Sequence, residues 1–181
     1  LIGSSICQGS KRAGLAQPVS GYARSVETRT RALEIGFVDS VHDTAKEAVA
    51  AADLIILCVP VGVLGKVAGE IEPMLKKGAT ITDVGSVKSA VVRDVGPFVP
   101  EGVHFIPGHP LAGTEESGPD AGFAELFDGR WCILTPVPGT DKIAVATLVS
   151  LWEGLGSKVD VMDAQHHGVV VAVTSPVHPL I

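Results

Sequence analysis

The sequence predicts an α/β protein with a mostly parallel sheet and helices on both faces. Short runs of apolar and β-branched residues alternate along the chain with longer segments whose apolar residues recur at helical spacing. This alternation is typical of strand–helix–strand units, in which the helices cover a parallel sheet. Hydrophobic residues make up 46% of the chain and charged residues 19%, a composition that disfavours disorder and supplies a sizeable core.

Six helical segments precede residue 163, and several carry a start or stop signal. Gly14 closes the first of them. Thr44 and Glu47 form a capping box that begins the third. The run Lys76-Lys77-Gly78 ends the fourth with the positive charge and the glycine that suit a helix C-terminus. The segments comprise residues up to 13, 26–33, from about 45, 61–75, 86–95 and 143–155.

Six strands are predicted between these helices. The run from Leu54 to Val59 is continuously apolar, which is typical of a strand buried on both faces of a sheet. The strands comprise residues 18–22, 54–59, 80–83, 103–106, 131–135 and 158–162. After Met162 the pattern changes to a new apolar helix that meets Pro176 and Pro179. We therefore expect a first domain over residues 1–162 and the start of a second over 163–181.

Charge and composition disfavour several classes of partner. The formal net charge of −6 argues against nucleic acid or an anionic membrane surface. The apolar runs fall short of the ~18 to 20 residues that a membrane span needs, and the start of the chain lacks the pattern of a signal peptide. Cys7, Cys58 and Cys132 are an odd set without metal spacing. We expect no metal site, buried cysteines and a reduced, cytoplasmic location.

Two segments that follow predicted strands carry the residues suited to chemistry. Ser86 and Lys88 follow the strand at 80–83, and His109 and Glu115 follow the strand at 103–106. Ligands of open α/β sheets bind outside the carboxyl ends of the strands. A histidine, whose ordinary pKa is near ~6.5, is the natural proton acceptor at neutral pH. We expect His109 on a loop there, as a general base.

A dinucleotide site is indicated more weakly by the start of the chain. Of the three glycines of the pattern G-x-G-x-x-G, Gly3 matches only the third, and a strand of the right length follows its helix. About 20 residues beyond that glycine, NAD sites usually carry a carboxylate for the ribose hydroxyls. This chain has Arg24 and Ser25 there, which suit a 2′-phosphate and favour NADP over NAD. The alternative is that Arg24 is a solvated turn residue. Val59 and Pro60 are expected beside the nicotinamide ribose.

Four segments taken together resemble the prephenate/arogenate dehydrogenase family. They are Gly-Tyr-x-Arg-Ser, Leu-Cys-Val-Pro-Val, Asp-Val-Gly-Ser-Val-Lys and Gly-His-Pro-Leu-Ala-Gly-Thr-Glu-x-Ser-Gly. The resemblance implies a Rossmann-like domain followed by an all-helical dimerisation domain, and hence a homodimer. It also implies an oxidative decarboxylation of the small molecule prephenate, or its amino analogue arogenate, with NAD or NADP, in tyrosine biosynthesis. Which of the two substrates is used stays open.

The resemblance also implies roles at matching positions. His109 corresponds to the catalytic histidine and Ser86 to its partner near the substrate hydroxyl. Glu115 matches a glutamate that borders the active site, and Lys88 matches the motif close to the substrate. The residues themselves leave open a loop histidine held by backbone hydrogen bonds and, for Ser86, a helix N-cap before Val87, which is compatible with a role near the substrate.

The chain departs from the family pattern at both ends. The first strand and the two leading glycines are absent, so we expect a fragment that is inactive alone and prone to associate. Near the end, Ser-Pro-Val-His replaces the family's Ser-His-x-Pro-His, which leaves His178 out of register and without an expected catalytic role. His166 and His167 lie on the new helix, and we expect His167 to be an ordinary, satisfied residue of the helix start.

Two other functions stay open from the sequence. One is a Rossmann oxidoreductase of the β-hydroxyacid or imine-reductase kind, although the lysine such enzymes usually carry on the second-domain helix is absent from residues 163–181. The other is a non-catalytic nucleotide-binding module, which the missing glycines would favour. Binding of a dinucleotide without turnover would distinguish the module from an enzyme.

Overall fold

The computed structural model describes residues 1–168 of the 181-residue chain. Its α-helices are α1 (Ile2–Ala13), α2 (Val26–Ile35), α3 (Ala45–Val49), α4 (Leu64–Ile71), α5 (Lys88–Val95) and α6 (Lys142–Gly154). Its strands are β1 (Ser20–Gly21), β2 (Ser40–Val41), β3 (Leu54–Leu57), β4 (Thr80–Asp83), β5 (His104–Phe105), β6 (Gly108–Pro110), β7 (Trp131–Leu134) and β8 (Lys158–Val161). Residues 164–168 are also helical.

Most strand pairs are parallel, as the sequence predicts. β1 pairs with β2, β3 with β4, β4 with β5, and β7 with β8, all in parallel. Within residues 1–168, β6 and β7 form the one antiparallel pair. The register places Leu57 opposite Asp83, so β3 and β4 end side by side.

Helices cover both faces of the central strands. The side chains of β3 alternate between two cores: Ile55 and Leu57 pack with α3, α4 and α5, whereas Leu54 and Ile56 pack with α1 and α6. Leu64 of α4 and Trp152 of α6 are fully buried in the first and second core, respectively. Since alternate residues of a strand point to opposite faces, the predicted layering is confirmed.

The predicted start and stop signals act as expected. Gly14 ends α1 in the left-handed conformation, at φ 65°, which glycine adopts without strain. The Thr44 side chain accepts a hydrogen bond from the Glu47 backbone, and Glu47 caps the Thr44 backbone in return. The strand predicted at 80–83 is β4, with the same bounds.

Several predicted bounds are wrong. The helix predicted over 61–75 is α4 flanked by two 3₁₀ turns. The second turn follows α4 because Pro73 has no N–H with which to continue the α-helix. The strand predicted at 103–106 shortens to β5, and Pro107 separates it from a new strand, β6. The helix predicted from Ser86 begins at Lys88. β1 is shorter than predicted, and the two-residue β2 was not predicted at all.

The remaining predictions concern single features. In the part of the chain from 1 to 168, no helix has the length and apolar character to cross a membrane. Over the same residues no three His, Cys, Asp or Glu side chains are grouped as metal ligands. The cysteines are unpaired; Cys132 is buried as expected, whereas Cys58 is exposed, contrary to expectation. The predicted second domain beyond residue 168, including His178, lies outside the described residues.

Candidate active site

The carboxyl ends of β3 and β4 form the base of the site. Because their last residues lie opposite each other, the turn with Val59 and Pro60 leaves the sheet beside the segment that carries Ser86. Gly85 permits this contact, since a methyl group on it would lie 2.9 Å from Cγ2 of Val61 and 3.0 Å from Oδ2 of Asp83. The predicted cofactor turn and the predicted catalytic segment are therefore neighbours.

The start of α1 lies against the end of β3. A methyl group on Gly3 would lie 3.3 Å from Cβ of Cys58, closer than most side chains tolerate. The third glycine of a dinucleotide motif permits this close helix–strand approach. The first turn of α1 carries no acidic residue and no side-chain cap, which suits the anionic group that helix N-termini bind. These residues fit a dinucleotide pyrophosphate.

A buried ion pair joins β4, α5 and β6. Lys88 Nζ lies 2.6 Å from Asp83 Oδ2, and both side chains are fully buried. The ammonium also donates to the carbonyl of Gly108. The Asp83 carboxylate accepts the backbone N–H groups of Gly85 and Gly108, at 2.7 and 3.2 Å. Burial raises the pKa of Asp83 and lowers that of Lys88, and their mutual attraction opposes both shifts.

Gly108 leaves no room for a side chain at the start of β6. A methyl group there would lie 2.9 Å from the backbone oxygen of Asp83 and 3.2 Å from the Thr82 hydroxyl. The close approach fixes the strand that carries the next residue, His109.

Replacing Gly108 with Ala should therefore destabilise the protein and displace His109. We expect a loss of about 1–3 kcal/mol in the free energy of unfolding, measured by urea denaturation, because an overpacked backbone contact cannot relax freely. Gly113→Ala is the matched control, since no atom lies within 4 Å of the position its methyl group would take. Equal stability of the two variants would show that the close contact between Gly108 and the backbone of Asp83 does not exclude a side chain at position 108.

His109 lies on a strand rather than on the predicted loop. β6 pairs with β7, where His109 is opposite Ile133, because the chain turns after Pro107 and adds a short antiparallel strand. Its Nδ1 lies 2.9 Å from Nε2 of His167, and the two rings meet edge to face, with centroids 5.2 Å apart. His167, expected to be an ordinary residue of the helix start, is thus the partner of the predicted base.

The surroundings of His109 keep its imidazole neutral. Burial, then the nearby His167 and Lys88, lower the pKa of His109 to about 4. Within residues 1–168 its Nε2 has no hydrogen-bond partner, whereas Nδ1 is occupied by His167. At neutral pH the side chain can therefore accept a proton at Nε2.

Ser86 and Lys88 differ from each other in accessibility. The N-cap of α5 is Val87, so the alternative that Ser86 is a plain N-cap is wrong. Ser86 is exposed, and its hydroxyl makes no hydrogen bond to the part of the chain that the structure describes. Lys88, expected close to the substrate, instead directs its ammonium to Asp83 and Gly108 in the interior. Its contribution is to hold β6 in place.

Glu115 lies on the exposed segment that follows β6. Within residues 1–168 its side chain makes no hydrogen bond or ion pair that would tie it to His109. Its predicted position at the border of the active site stays a prediction.

The turn after β1 holds the other predicted cofactor residues. Ser25 is the N-cap of α2, where its hydroxyl accepts the backbone N–H of Thr28. Arg29 fixes the turn by donating to the carbonyl oxygens of Ala23 and Arg24, at 2.7 and 3.3 Å. The Arg24 side chain is exposed and, among residues 1–168, has no ion-pair partner. It is available to a ligand.

Sequence reasoning did not assign roles to two residues at the site. Asp83 stands at the end of a predicted strand and five residues before a lysine, a pattern that could have indicated the buried pair. His167 lies 58 residues from His109, and no local pattern connects the two. Only the fold brings their rings together.

Comparison with known proteins places the chain in a family. The family model described as the nucleotide-binding domain of prephenate dehydrogenase matches residues 6–161. The chain belongs to this family. A cyclohexadienyl dehydrogenase of Zymomonas mobilis is 44% identical over 175 residues, which are 97% of this chain and 59% of the relative. The predicted family is thereby confirmed.

Two solved structures of dehydrogenases share the fold. Prephenate dehydrogenase from A. aeolicus, in complex with hydroxyphenyl propionate and NAD+, matches with a TM-score of 0.87 and 30% identity, over 96% of this chain and 60% of that one. Synechocystis arogenate dehydrogenase matches with a TM-score of 0.89 and 32% identity, over 97% of this chain and 61% of that one. The Rossmann-like fold is confirmed. The chain spans about 60% of the length of these proteins.

Proposed function

We propose that the intact protein catalyses the oxidative decarboxylation of prephenate or arogenate, with hydride transfer to NAD or NADP. One observation carries the proposal: His109 is held neutral, with a free Nε2, on a strand that the Asp83–Lys88 pair ties to the carboxyl end of β4. Family membership supports the same reaction. The step belongs to tyrosine biosynthesis.

In this mechanism the residues of the chain handle the proton. A nicotinamide cofactor, when bound, accepts the hydride from the ring carbon that carries the hydroxyl. His109 takes the hydroxyl proton at Nε2 as that carbon becomes a ketone, and Ser86 donates a hydrogen bond to the same oxygen. The ketone makes the ring carboxylate a vinylogous β-keto acid, so CO2 leaves. As the ring becomes aromatic, the proton returns from His109 to the oxygen. A positioned base is worth roughly 10² to 10⁴ in rate.

The cofactor would lie across the start of α1 and the end of β3. Gly3 and the adjacent helix N-terminus would hold the pyrophosphate, and Val59 and Pro60 would lie beside the nicotinamide ribose. Arg24 on the turn after β1 favours a 2′-phosphate, so we propose NADP as the preferred cofactor. Ser25 supports this turn by capping α2.

Arg24→Ala should weaken NADP binding and leave NAD binding nearly unchanged. A hydrogen bond to a charged group contributes about 1.5–3 kcal/mol, so we expect a loss of roughly 10- to 100-fold, measured by calorimetry. Arg93→Ala is the control, since Arg93 is paired with Asp94 on the surface of α5. A wild-type protein that binds NAD about tenfold better than NADP would refute the preference.

The function itself is tested by turnover of the intact protein. Purified protein is supplied with prephenate or arogenate and either dinucleotide, and reduced dinucleotide and CO2 are measured together. We expect equal amounts of both products with one of the two substrates. Dinucleotide binding without turnover of either substrate would instead support the non-catalytic module.

Further proposals concern the intact protein in the cell. We propose a homodimer, formed through a helical domain that follows the Rossmann-like domain, because the family pattern includes one. Sedimentation of the intact protein tests this. We also propose a cytoplasmic location, which suits three unpaired cysteines, and localisation of a tagged protein tests it.

A further inference from the structure

The contact between His109 and His167 constrains where protons can lie. The two facing nitrogens, Nδ1 of His109 and Nε2 of His167, are 2.9 Å apart, so one of them must carry a proton and the other must not. Two arrangements satisfy this condition. Either His109 donates from Nδ1 and keeps Nε2 as a free acceptor, or His167 donates and His109 carries its proton on Nε2.

Only the first arrangement gives His109 a base at its free nitrogen. In the second, Nε2 of His109 is a donor and cannot take a proton from a substrate hydroxyl. We infer that His167 is a positioning residue, which accepts the Nδ1 proton of His109 and so keeps Nε2 as the proton acceptor. The inference rests on the proposed function of His109.

The backbone around His167 holds its ring in place. The Asp163 side chain accepts the backbone N–H groups of Gln165 and His166, at 2.9 and 2.8 Å. The His167 N–H donates to the Asp163 carbonyl at 3.0 Å, which continues the first helical turn. The residue is only 2% exposed. A buried ring on a capped helix start has little freedom to turn away from His109.

Charged neighbours favour a neutral His167 that can accept. Lys88 of α5 and Asp83 of β4 act on it, and burial followed by Lys88 lowers the pKa of His167, while Asp83 opposes this shift. A neutral imidazole has one acceptor nitrogen, and in the first arrangement that nitrogen is Nε2 of His167, which faces His109. When His109 takes a proton at Nε2, its Nδ1–H becomes a stronger donor to that nitrogen. The pair therefore keeps the proton of His109 on Nδ1 both before and after Nε2 takes a proton.

The test uses three variants of the intact protein. His167→Leu fills the space without an acceptor, His167→Gln retains an acceptor oxygen, and His166→Leu is the matched control at the exposed neighbour. We expect His167→Leu to lower kcat at least about tenfold with KM and dinucleotide affinity nearly unchanged, since a wrong tautomer impairs only the chemical step. We expect His167→Gln to restore most of kcat and His166→Leu to have no effect.

Nitrogen chemical shifts of the His109 ring give a second readout. In the wild type we expect a single tautomer with the proton on Nδ1, and in His167→Leu a mixture. A wild-type proton on Nε2 would overturn the inference, even if a variant fails to fold. Equal kcat in His167→Leu and wild type, or no advantage of His167→Gln over His167→Leu, would also overturn it. If the wild type turns over neither substrate, the proposed function fails, and the nitrogen shifts still decide the tautomer.

Discussion

His109→Asn should lower turnover by roughly 10² to 10⁴, because a positioned general base contributes a factor of that size. Asparagine resembles the part of the imidazole nearest Cβ in size, but its amide does not take up a proton at neutral pH. Dinucleotide affinity should stay nearly unchanged, since the residues expected to bind the cofactor are on α1, the turn after β1 and the end of β3. Steady-state kinetics and calorimetry on the intact protein measure both quantities.

The matched control for that variant is His104→Asn. His104 is a partly buried histidine on β5, and its side chain makes no hydrogen bond within residues 1–168. We expect this variant to retain wild-type turnover. If His109→Asn retains turnover within about threefold of the wild type, the residue is not the base.

Lys88→Met should have the largest effect on stability. It removes the ammonium and leaves the Asp83 carboxylate buried without its charged partner. Loss of one member of a buried ion pair costs about 3–5 kcal/mol, so we expect the free energy of unfolding, measured with urea, to fall by that amount. Turnover should fall as well, because Lys88 also holds Gly108, the residue before His109.

Two controls test whether the loss of stability comes from the unpaired buried charge. The double variant Asp83→Asn with Lys88→Met should lose less stability than the sum of the two single variants, because each single variant leaves one buried charge unpaired and the double variant leaves none. Lys76→Met breaks an exposed pair with Asp53, 2.7 Å long, and should cost at most about 1 kcal/mol. Additive losses, or a Lys88→Met cost no larger than that of Lys76→Met, would contradict the role of the buried pair.

The sequence predicts elements well where a local signal is strong. Gly14 and the Thr44 capping box place helix ends correctly, since each satisfies backbone groups next to it in the chain. β6 escapes prediction because it consists of Gly108, His109 and Pro110, and glycine and proline are poor strand formers. Its partner strand, β7, begins 21 residues after β6 ends, so the pairing depends on tertiary structure.

The same distinction between local signals and tertiary contacts applies to the candidate active site. The strand-end positions of Ser86, Val59 and Pro60 follow from the order of strands and motifs, although their roles stay predictions. The burial of Lys88 and the contact of His109 with His167 do not follow from local patterns. Both features depend on how β6 and the helical residues 164–168 pack in the folded protein. The residues that form these contacts do not recur in the sequence at a helical or strand spacing.

The central claim is that His109 is a neutral proton acceptor in a dehydrogenase site. The measurement that tests it most directly is the pH dependence of kcat/KM for the intact protein, since this profile reports the base of the free enzyme. With the pKa of His109 lowered to about 4, the base is deprotonated at neutral pH and loses activity only as the pH falls toward that value. We therefore predict constant kcat/KM from about pH 8 to about pH 6, below the ordinary histidine pKa of ~6.5. An acid limb centred at or above ~6.5 would contradict the account.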